Sequence, residues 1–207
     1  IPWDCKSPDV VIAAIKADGL NLFHVPHKMQ TSTLVTIAVT DNGLALEAVA
    51  PDLKSEAVCM AAVANNGNAL KDVPKDLCSF HVYMTAIRRS GTALKFVPIE
   101  EQSPQMHEAA VKQDAQAIRY VPVDSLTEDL CLAAVEKMGT HLGFIPKEFR
   151  SASVCLDAIK QNIRALDFVP PEVRKSHDFQ QSLIDLSGYS DAFAFAADFV
   201  RNSSGDG

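Results

Sequence analysis

Residues 55–78, SEAVCMAAVANNGNALKDVPKDLC, contain the pattern that decides the fold of this chain. The pattern recurs every 24 residues without an insertion, and one place in it is always alanine: Ala14, Ala38, Ala62, Ala86, Ala110, Ala134 and Ala158. Self-similarity at a fixed period of about 20–50 residues is typical of proteins built from stacked structural repeats. The sequence therefore predicts a repeat array.

The first half of each repeat predicts an amphipathic helix. Repeats are numbered from position 1 to position 24, with Ser55 at position 1 of the quoted copy, and position 1 is always Ser or Thr. Its hydroxyl oxygen can accept from free N–H groups of a first helical turn, which predicts an N-cap. Positions 4, 8 and 9 are apolar and form one stripe of a helix of about three turns. We expect the alanine at position 8 to lie against a neighbouring backbone, where a larger side chain would overpack.

The second half of each repeat, ALKDVPKDL in the quoted copy, predicts a short helical turn, a proline stop and another turn. Position 13 is glycine in five of the seven repeats, which predicts a left-handed C-cap. Ala115 and Ile163 break this rule, so we expect those two turns to be built differently or to be strained. Together the two halves predict an all-α fold. It is an α-solenoid of seven 24-residue repeats, each one helix plus a short α or 3-10 segment.

Two runs, AVANNGNALKDVPKDL at 62–77 and AVTDNGLALEAVAPDL at 38–53, resemble a bacterial repeat family, domain of unknown function 4116. Its units read roughly AVxxNGxALxxxxxxL. The resemblance extends from about Ile1 to Gly188 and weakens in the last repeats, where Ile163 replaces the glycine and Gly143 lies inside the short helix. It implies an all-α repeat fold and no particular activity. A more distant likeness is to the variant leucine-rich repeats, which alternate an α-helix with a 3-10 helix.

The repeat register also predicts the domain organisation. Residues 1–6 match the tail of an earlier repeat whose helix is absent, so we expect this chain to be a piece of a longer protein. Seven repeats occupy 7–174 as one continuous solenoid. A degenerate eighth repeat and a capping helix follow at 175–200, with Ser176 as N-cap, an apolar stripe and Gly188 as C-cap, and 201–207 form a flexible tail. The stripe comprises Phe179, Leu183 and Ile184. The capping helix is apolar around most of its circumference, so it either seals the last repeat or forms a dimer contact; otherwise we expect a monomer.

Composition excludes several classes of function. The net charge is −7, which argues against binding to nucleic-acid phosphates. No apolar run approaches the length of about 18 residues that a membrane span needs. Of five cysteines, Cys59, Cys131 and Cys155 occupy position 5 and are expected to be small core residues. An odd number spread along an array is not a disulfide framework and fits a reducing compartment, so we expect a cytoplasmic protein: bacterial cytosol, or host cytosol for a secreted effector.

No catalytic motif stands out in the sequence, so no catalytic residue, cofactor or metal is predicted. His24 and His27 have a spacing that could bind a metal ion, but they flank Pro26 and lack a third ligand nearby in sequence. The chain contains no phosphate loop, nucleophile elbow or paired-carboxylate signature.

Two ladders of side chains are candidates for a surface site. The first is basic and comprises Arg88, Arg89, Lys95, Lys112 and Arg119. Cations near a helix C-terminus are favoured by the helix dipole in any case, but on an acidic protein this cluster is the best candidate for an acidic partner surface. The second is the aromatic part of position 18: Phe96, Tyr120, Phe144 and Phe168. It is interpreted either as core filling beneath the proline turns or as a groove for an extended peptide.

These features favour a non-enzymatic scaffold for protein–protein interaction, a repeat module of a larger bacterial protein, because repeat arrays are read through their surfaces. Two alternatives remain open. The chain could be the substrate-recognition region of a secreted effector enzyme whose catalytic domain lies outside it, or a toxin-neutralising immunity-type protein. The full-length sequence would separate them, since an adjoining catalytic motif favours the effector.

Overall fold

The structure is a computed structural model that describes residues 7–187, 194 and 196–200. It divides into two compact units, Ile1–Asp114 and Ala115–Gly207. The 24-residue period of the sequence continues without interruption across the boundary between Asp114 and Ala115. The described residues contain helices and no strand, so the all-α prediction is confirmed. Within this same part of the chain, every helix is too short or too polar to cross a membrane.

The first unit contains five α-helices of equal length, each ten residues long and each spanning positions 2–11 of its repeat. They are α1 (Pro8–Ala17), α2 (Ser32–Asp41), α3 (Glu56–Asn65), α4 (Phe80–Arg89) and α5 (Pro104–Gln113). Six-residue 3-10 helices follow the first four: Gly19–His24, Gly43–Ala48, Gly67–Asp72 and Gly91–Phe96. Shorter 3-10 turns close these repeats at His27–Met29, Pro51–Leu53, Lys75–Leu77 and Ile99–Glu101.

The second unit continues the pattern and then departs from it. Its helices are α6 (Glu128–Lys137), α7 (Ala152–Gln161), α8 (Pro171–Lys175) and α9 (His177–Ser187). Its 3-10 helices are Ala115–Tyr120, Val123–Ser125, Gly139–Phe144, Lys147–Phe149 and Ile163–Phe168. Residues 194 and 196–200 are also helical, and Ala196, Ala197 and Val200 are buried. The rest of the predicted capping helix, with Gly188 and the tail, lies outside the described residues.

Hydroxyl groups begin most of these helices, as predicted. The position-1 side chain accepts a hydrogen bond from the backbone N–H three residues later in six repeats, for example from Leu34 to Thr31 at 3.3 Å and from Val58 to Ser55 at 3.4 Å. Ser7 makes no such bond. Each bond satisfies an N–H group that the helix leaves free, so the sequence fixes where the helices start.

The ten-residue α-helices pack on their neighbours within each unit, and from the second repeat to the seventh the stripe at positions 4, 8 and 9 is buried. The alanine at position 8 is fully buried from the second repeat to the seventh, including Ala86 and Ala110, as the expected close packing requires. Cys59, Cys131 and Cys155 are also fully buried. In the degenerate repeat Phe179 and Leu183 are buried, but Ile184 is 38% exposed, so its predicted place in the apolar stripe is wrong.

The glycines at position 13 have a different purpose from the one predicted. None of the described residues has a positive φ, and the residue before the glycine is extended, with φ −141° and ψ 112° at Asn66. A left-handed C-cap is therefore absent from these helix ends. Instead, a Cβ on Gly67 would overlap the carbonyl oxygen of Ala86 and lie 3.0 Å from the backbone nitrogen of Ser90 in the next repeat. The glycine is required because the backbones approach closely.

The two repeats that lack this glycine keep the same local structure. Ala115–Tyr120 and Ile163–Phe168 form six-residue 3-10 helices like the others, without positive φ. The expected strain at Ala115 and Ile163 is therefore not a strain of backbone dihedrals. After Ile163 the regular pattern ends, because the short α8 replaces the usual 3-10 turn.

Candidate functional site

The basic cluster lies at the ends of two neighbouring helices in the first unit. Arg88 and Arg89 occupy the last turn of α4, and Lys112 occupies the last turn of α5. All three side chains are exposed. Arg88 and Lys112 share position 10 of adjoining repeats, and α4 packs on α5. The partial negative charge of a helix C-terminus favours cations at these places.

Arg89 also has a structural contact that the sequence did not indicate. Its Nε donates to the carbonyl oxygen of Asn65, 24 residues earlier, at 2.7 Å. Its own carbonyl oxygen accepts from the Nε2 of Gln113 at 3.3 Å. Position 11 thus links the C-terminal end of one helix to that of the next. Arg89 therefore belongs to a regular contact between repeats as well as to the basic cluster.

Most position-11 side chains of the first unit also accept a hydrogen bond. The N–H groups of Gly19, Gly43 and Gly91 donate to Asp41 Oδ2, Asn65 Oδ1 and Gln113 Oε1, at 2.8, 2.8 and 2.6 Å. Arg89 occupies the corresponding place opposite Gly67, and a guanidinium group has no acceptor atom. The fourth repeat therefore carries a cation where its neighbours carry an acceptor. The signal in the sequence is that position 11 holds Asp, Asn or Gln in four of the seven repeats.

The remaining basic residues are placed elsewhere. Lys95 lies on the 3-10 helix after α4, with its Nζ 4.7 Å from the centroid of the Phe96 ring. Arg119 belongs to the second unit, where its guanidinium carbon lies 4.7 Å from the centroid of the Phe144 ring. The structure therefore brings Arg88, Arg89 and Lys112 onto adjoining helix ends and leaves the other two beside aromatic rings.

The aromatic residues at position 18 are not uniformly core residues. Phe96 and Tyr120 are half-buried, but Phe144 is 41% exposed and Phe168 is 37% exposed. Core filling beneath the proline turns is therefore the wrong interpretation for the last two. Phe96 lies in the first unit, and Tyr120, Phe144 and Phe168 lie in the second.

The exposed rings of the second unit have defined neighbours. The His141 ring stacks on Phe144 with centroids 5.5 Å apart, and His141 Nδ1 lies 3.3 Å from the carbonyl oxygen of Ala134. The Phe168 ring lies against Gly143, where an added Cβ would be 3.0 Å from its Cε1 atom. Phe144 thus has two ring contacts, with His141 and Arg119, and both rings remain part-exposed.

Position 24 supplies a second contact between repeats, which the repeat pattern alone did not indicate. Arg150 donates to the carbonyl oxygens of Ile145 at 2.7 Å, Phe168 at 2.6 Å and Gly143 at 3.4 Å. Gln30 has the same role in the first unit, since its Nε2 donates to Ala48 O at 2.8 Å. The sequence pattern that could have indicated this contact is the long polar side chain at position 24 in five repeats.

The histidines and cysteines are not assembled into a reactive centre in the described residues. His24 and His27 line an open cleft of about 500 Å³ with Phe23 and Glu47, but no three His, Cys, Asp or Glu side chains in this part of the chain are close enough to hold a metal ion. Burial raises the thiol pKa at the position-5 cysteines, to about 12 for Cys155. A thiol is nucleophilic only as the thiolate, so this burial makes the group inert at neutral pH.

Comparison with known proteins bears on the family. A family model described as "Domain of unknown function (DUF4116)" matches residues 127–174, which contain α6 and α7. The resemblance predicted from the repeat motif is therefore confirmed, and this match locates it in the sixth and seventh repeats. Neither a curated protein nor a solved structure matches the chain.

Proposed function

We propose that this chain, which carries the DUF4116 repeat, is a non-enzymatic scaffold that binds another protein through the basic helix ends of its first unit. The observation that carries the proposal is the exposure of Arg88, Arg89 and Lys112 on adjoining helices of a chain with net charge −7. An acidic protein surface is the complementary partner. Like charge elsewhere on the chain would repel that partner and restrict it to this cluster.

The hydrogen bonds at position 11 support this choice of site. Three of the four position-11 side chains opposite a glycine in the first unit accept from that glycine, and Arg89 alone has no atom to do so. Replacing an acceptor by a cation brings no advantage to the contact with Gly67. The donated bond from Arg89 to Asn65 is kept, and a role for the positive charge in recognition would explain why the acceptor is given up.

The experiment compares proteins captured by immobilised chain. The test variant is Arg88→Glu with Lys112→Glu; Arg89 is left in place because it bonds to Asn65. The control is Lys16→Glu with Lys75→Glu, which makes the same change in net charge at exposed lysines elsewhere in the first unit. A partner retained by wild type and by the control but lost from the test variant supports the proposal. Retention of the same proteins by the test variant contradicts it.

A further inference from the structure

The second unit has an exposed surface of its own, independent of the basic helix ends. We call it the Phe144–Phe168 row; it consists of Arg119, Phe144, Gly143 and Phe168. Its two phenylalanines are 41% and 37% exposed and occupy the same position of consecutive repeats. Single exposed apolar residues need no explanation, but two large rings aligned by the repeat on one side of a domain mark a candidate binding surface.

The row is built by contact between position 17 of one repeat and position 18 of the next. Arg119 lies against the Phe144 ring, at 4.7 Å, and Gly143 lies against the Phe168 ring. In the first unit position 17 carries large side chains: Phe23, Glu47, Lys71 and Lys95. Because Gly143 has no side chain, no such group stands in front of Phe168. A ligand can therefore reach the exposed part of the Phe168 ring as well as that of the Phe144 ring, which also contacts Arg119 and His141.

The charge beside the rings is positive. Arg119 makes no ion pair with any residue that the structure describes, and its contact is the face of the Phe144 ring. Arg150 donates to the carbonyl oxygens of Gly143 and Phe168 and has no ion pair with a carboxylate among the described residues. A guanidinium stacked on a ring keeps its in-plane N–H groups available to a carboxylate. Asp167, an exposed acid, is next to Phe168 in the chain.

We propose that the Phe144–Phe168 row binds a short extended peptide segment in which acidic residues adjoin an aromatic or leucine side chain. The carboxylate pairs with Arg119, and the apolar side chains lie on the rings of Phe144 and Phe168. Asp167 repels a carboxylate at its own end of the row, which places the acidic end of the peptide at Arg119. This site is separate from the proposed basic site and does not depend on it.

The test is fluorescence anisotropy with a fluorescein-labelled peptide, Gly-Asp-Asp-Phe-Asp-Leu-Gly. Two comparison peptides replace every Asp by Lys, or replace Phe and Leu by Ser. The row predicts binding of the first peptide only, because both the charge and the apolar side chains contribute. Equal binding of either comparison peptide, or no binding of the first, overturns the proposal.

Variants test whether the peptide binds at the Phe144–Phe168 row. Phe144→Ser with Phe168→Ser is expected to weaken binding about tenfold or more, as for removal of anchor residues. Phe80→Ser, which removes a phenylalanine that is 53% exposed on α4 of the first unit, leaves it unchanged. Arg119→Gln is expected to weaken binding about fivefold and to reduce its dependence on salt. Lys147→Gln, at an exposed lysine of the same unit, leaves both unchanged.

Two outcomes would contradict the proposal even if the labelled acidic peptide binds. Rings beside arginines also suit stacked bases, so tighter binding of a labelled oligouridine than of the acidic peptide would assign the row to single-stranded nucleic acid. Circular dichroism checks that the double phenylalanine variant folds. If it does not, Arg119→Gln decides, since this side chain is on the surface, and wild-type affinity in that variant overturns the proposal.

Discussion

The two compact units share their buried positions and differ in what they expose. In the first unit all four six-residue 3-10 helices begin with glycine, and position 18 is His, Ala, Asp and then Phe. Among the described residues of the second unit, one of three such helices begins with glycine, and position 18 is Tyr, Phe and Phe. Position 16 is aliphatic and buried throughout both units.

This difference shows that the buried positions of the repeat, which we call its frame, and its exposed positions vary independently. Buried positions keep the same small set of residues because each repeat must fit its neighbour. Exposed positions are free to differ, and they do: exposed phenylalanines occupy position 18 in two repeats of the second unit, whereas the first three repeats of the first unit have His, Ala and Asp there. Variants can test whether the frame is equally demanding in both units and whether the surfaces are dispensable for folding.

The largest effect is expected for Gly67→Ala in the first unit and Gly139→Ala in the second. The added Cβ would overlap a backbone carbonyl oxygen of the following repeat: that of Ala86 for Gly67, and that of Ala158 for Gly139. Backbone cannot move aside cheaply, so we expect each to lower the free energy of unfolding by about 3 kcal/mol or more. Urea denaturation measures it.

The control for these variants is Gly143→Ala. The nearest atoms to its Cβ all belong to the Phe168 ring, 3.0–3.3 Å away, and that ring is part-exposed and can shift. We expect a loss below about 1 kcal/mol. If Gly67→Ala were as mild as Gly143→Ala, close approach of the backbones would not be the reason for the glycine.

The next largest effect is expected for Ala86→Leu, with Ala158→Leu as its counterpart in the second unit. Both alanines are fully buried between packed helices. Overpacking should lower the free energy of unfolding by about 1–3 kcal/mol in each. Ala13→Leu, at an exposed position of α1, should change it little. An unchanged free energy of unfolding for Ala86→Leu in urea denaturation would contradict close packing at this position.

A smaller effect, confined to the first unit, is expected at His107. Its ring is 2% exposed, its Nε2 lies 2.9 Å from Gln102 Oε1, and its Nδ1 has no partner among the described residues. Burial lowers the pKa of His107 below its ordinary value of 6.5. The unfolded chain therefore takes up this proton first as the pH falls.

The stability from a neutral His107 is thus present above about pH 6.5 and is lost as the pH falls toward the lowered pKa of the folded state. His107→Cys introduces the residue found at position 5 of three other repeats. We expect thermal melts of wild type to shift down between about pH 7.5 and pH 5.5 more than those of the variant. Parallel pH profiles of the two proteins would exclude this role.

Much of the frame could be predicted from sequence because the repeat samples each position seven times. The N-caps, the buried alanines and the buried cysteines followed from local chemistry and periodicity. The reason for the glycines could not be predicted in this way, because Gly67 is constrained by Ala86 of the next repeat. The rule for glycine at a helix C-terminus is consistent with the same sequence. A contact between repeats can be recognised only when the stacking distance is known.

The candidate sites were harder to predict for a related reason. Arg88 and Arg89 are adjacent in sequence and both exposed, yet only Arg89 bonds to the preceding helix end, through Asn65. Likewise Phe96 and Phe168 share position 18 but differ in exposure, since the residues that flank them differ. Exposure depends on neighbours 24 or more residues away, and composition alone does not give it.

The claim that folding and recognition depend on different positions is tested most directly by association kinetics. The rate at which the captured partner binds Arg88→Glu with Lys112→Glu should be compared with wild type at about 50 mM and about 500 mM salt. We expect a rate about tenfold lower for the variant at low salt, convergence at high salt and melting temperatures within a few degrees. Association at the wild-type rate in low salt, by a variant that is folded, would contradict the account.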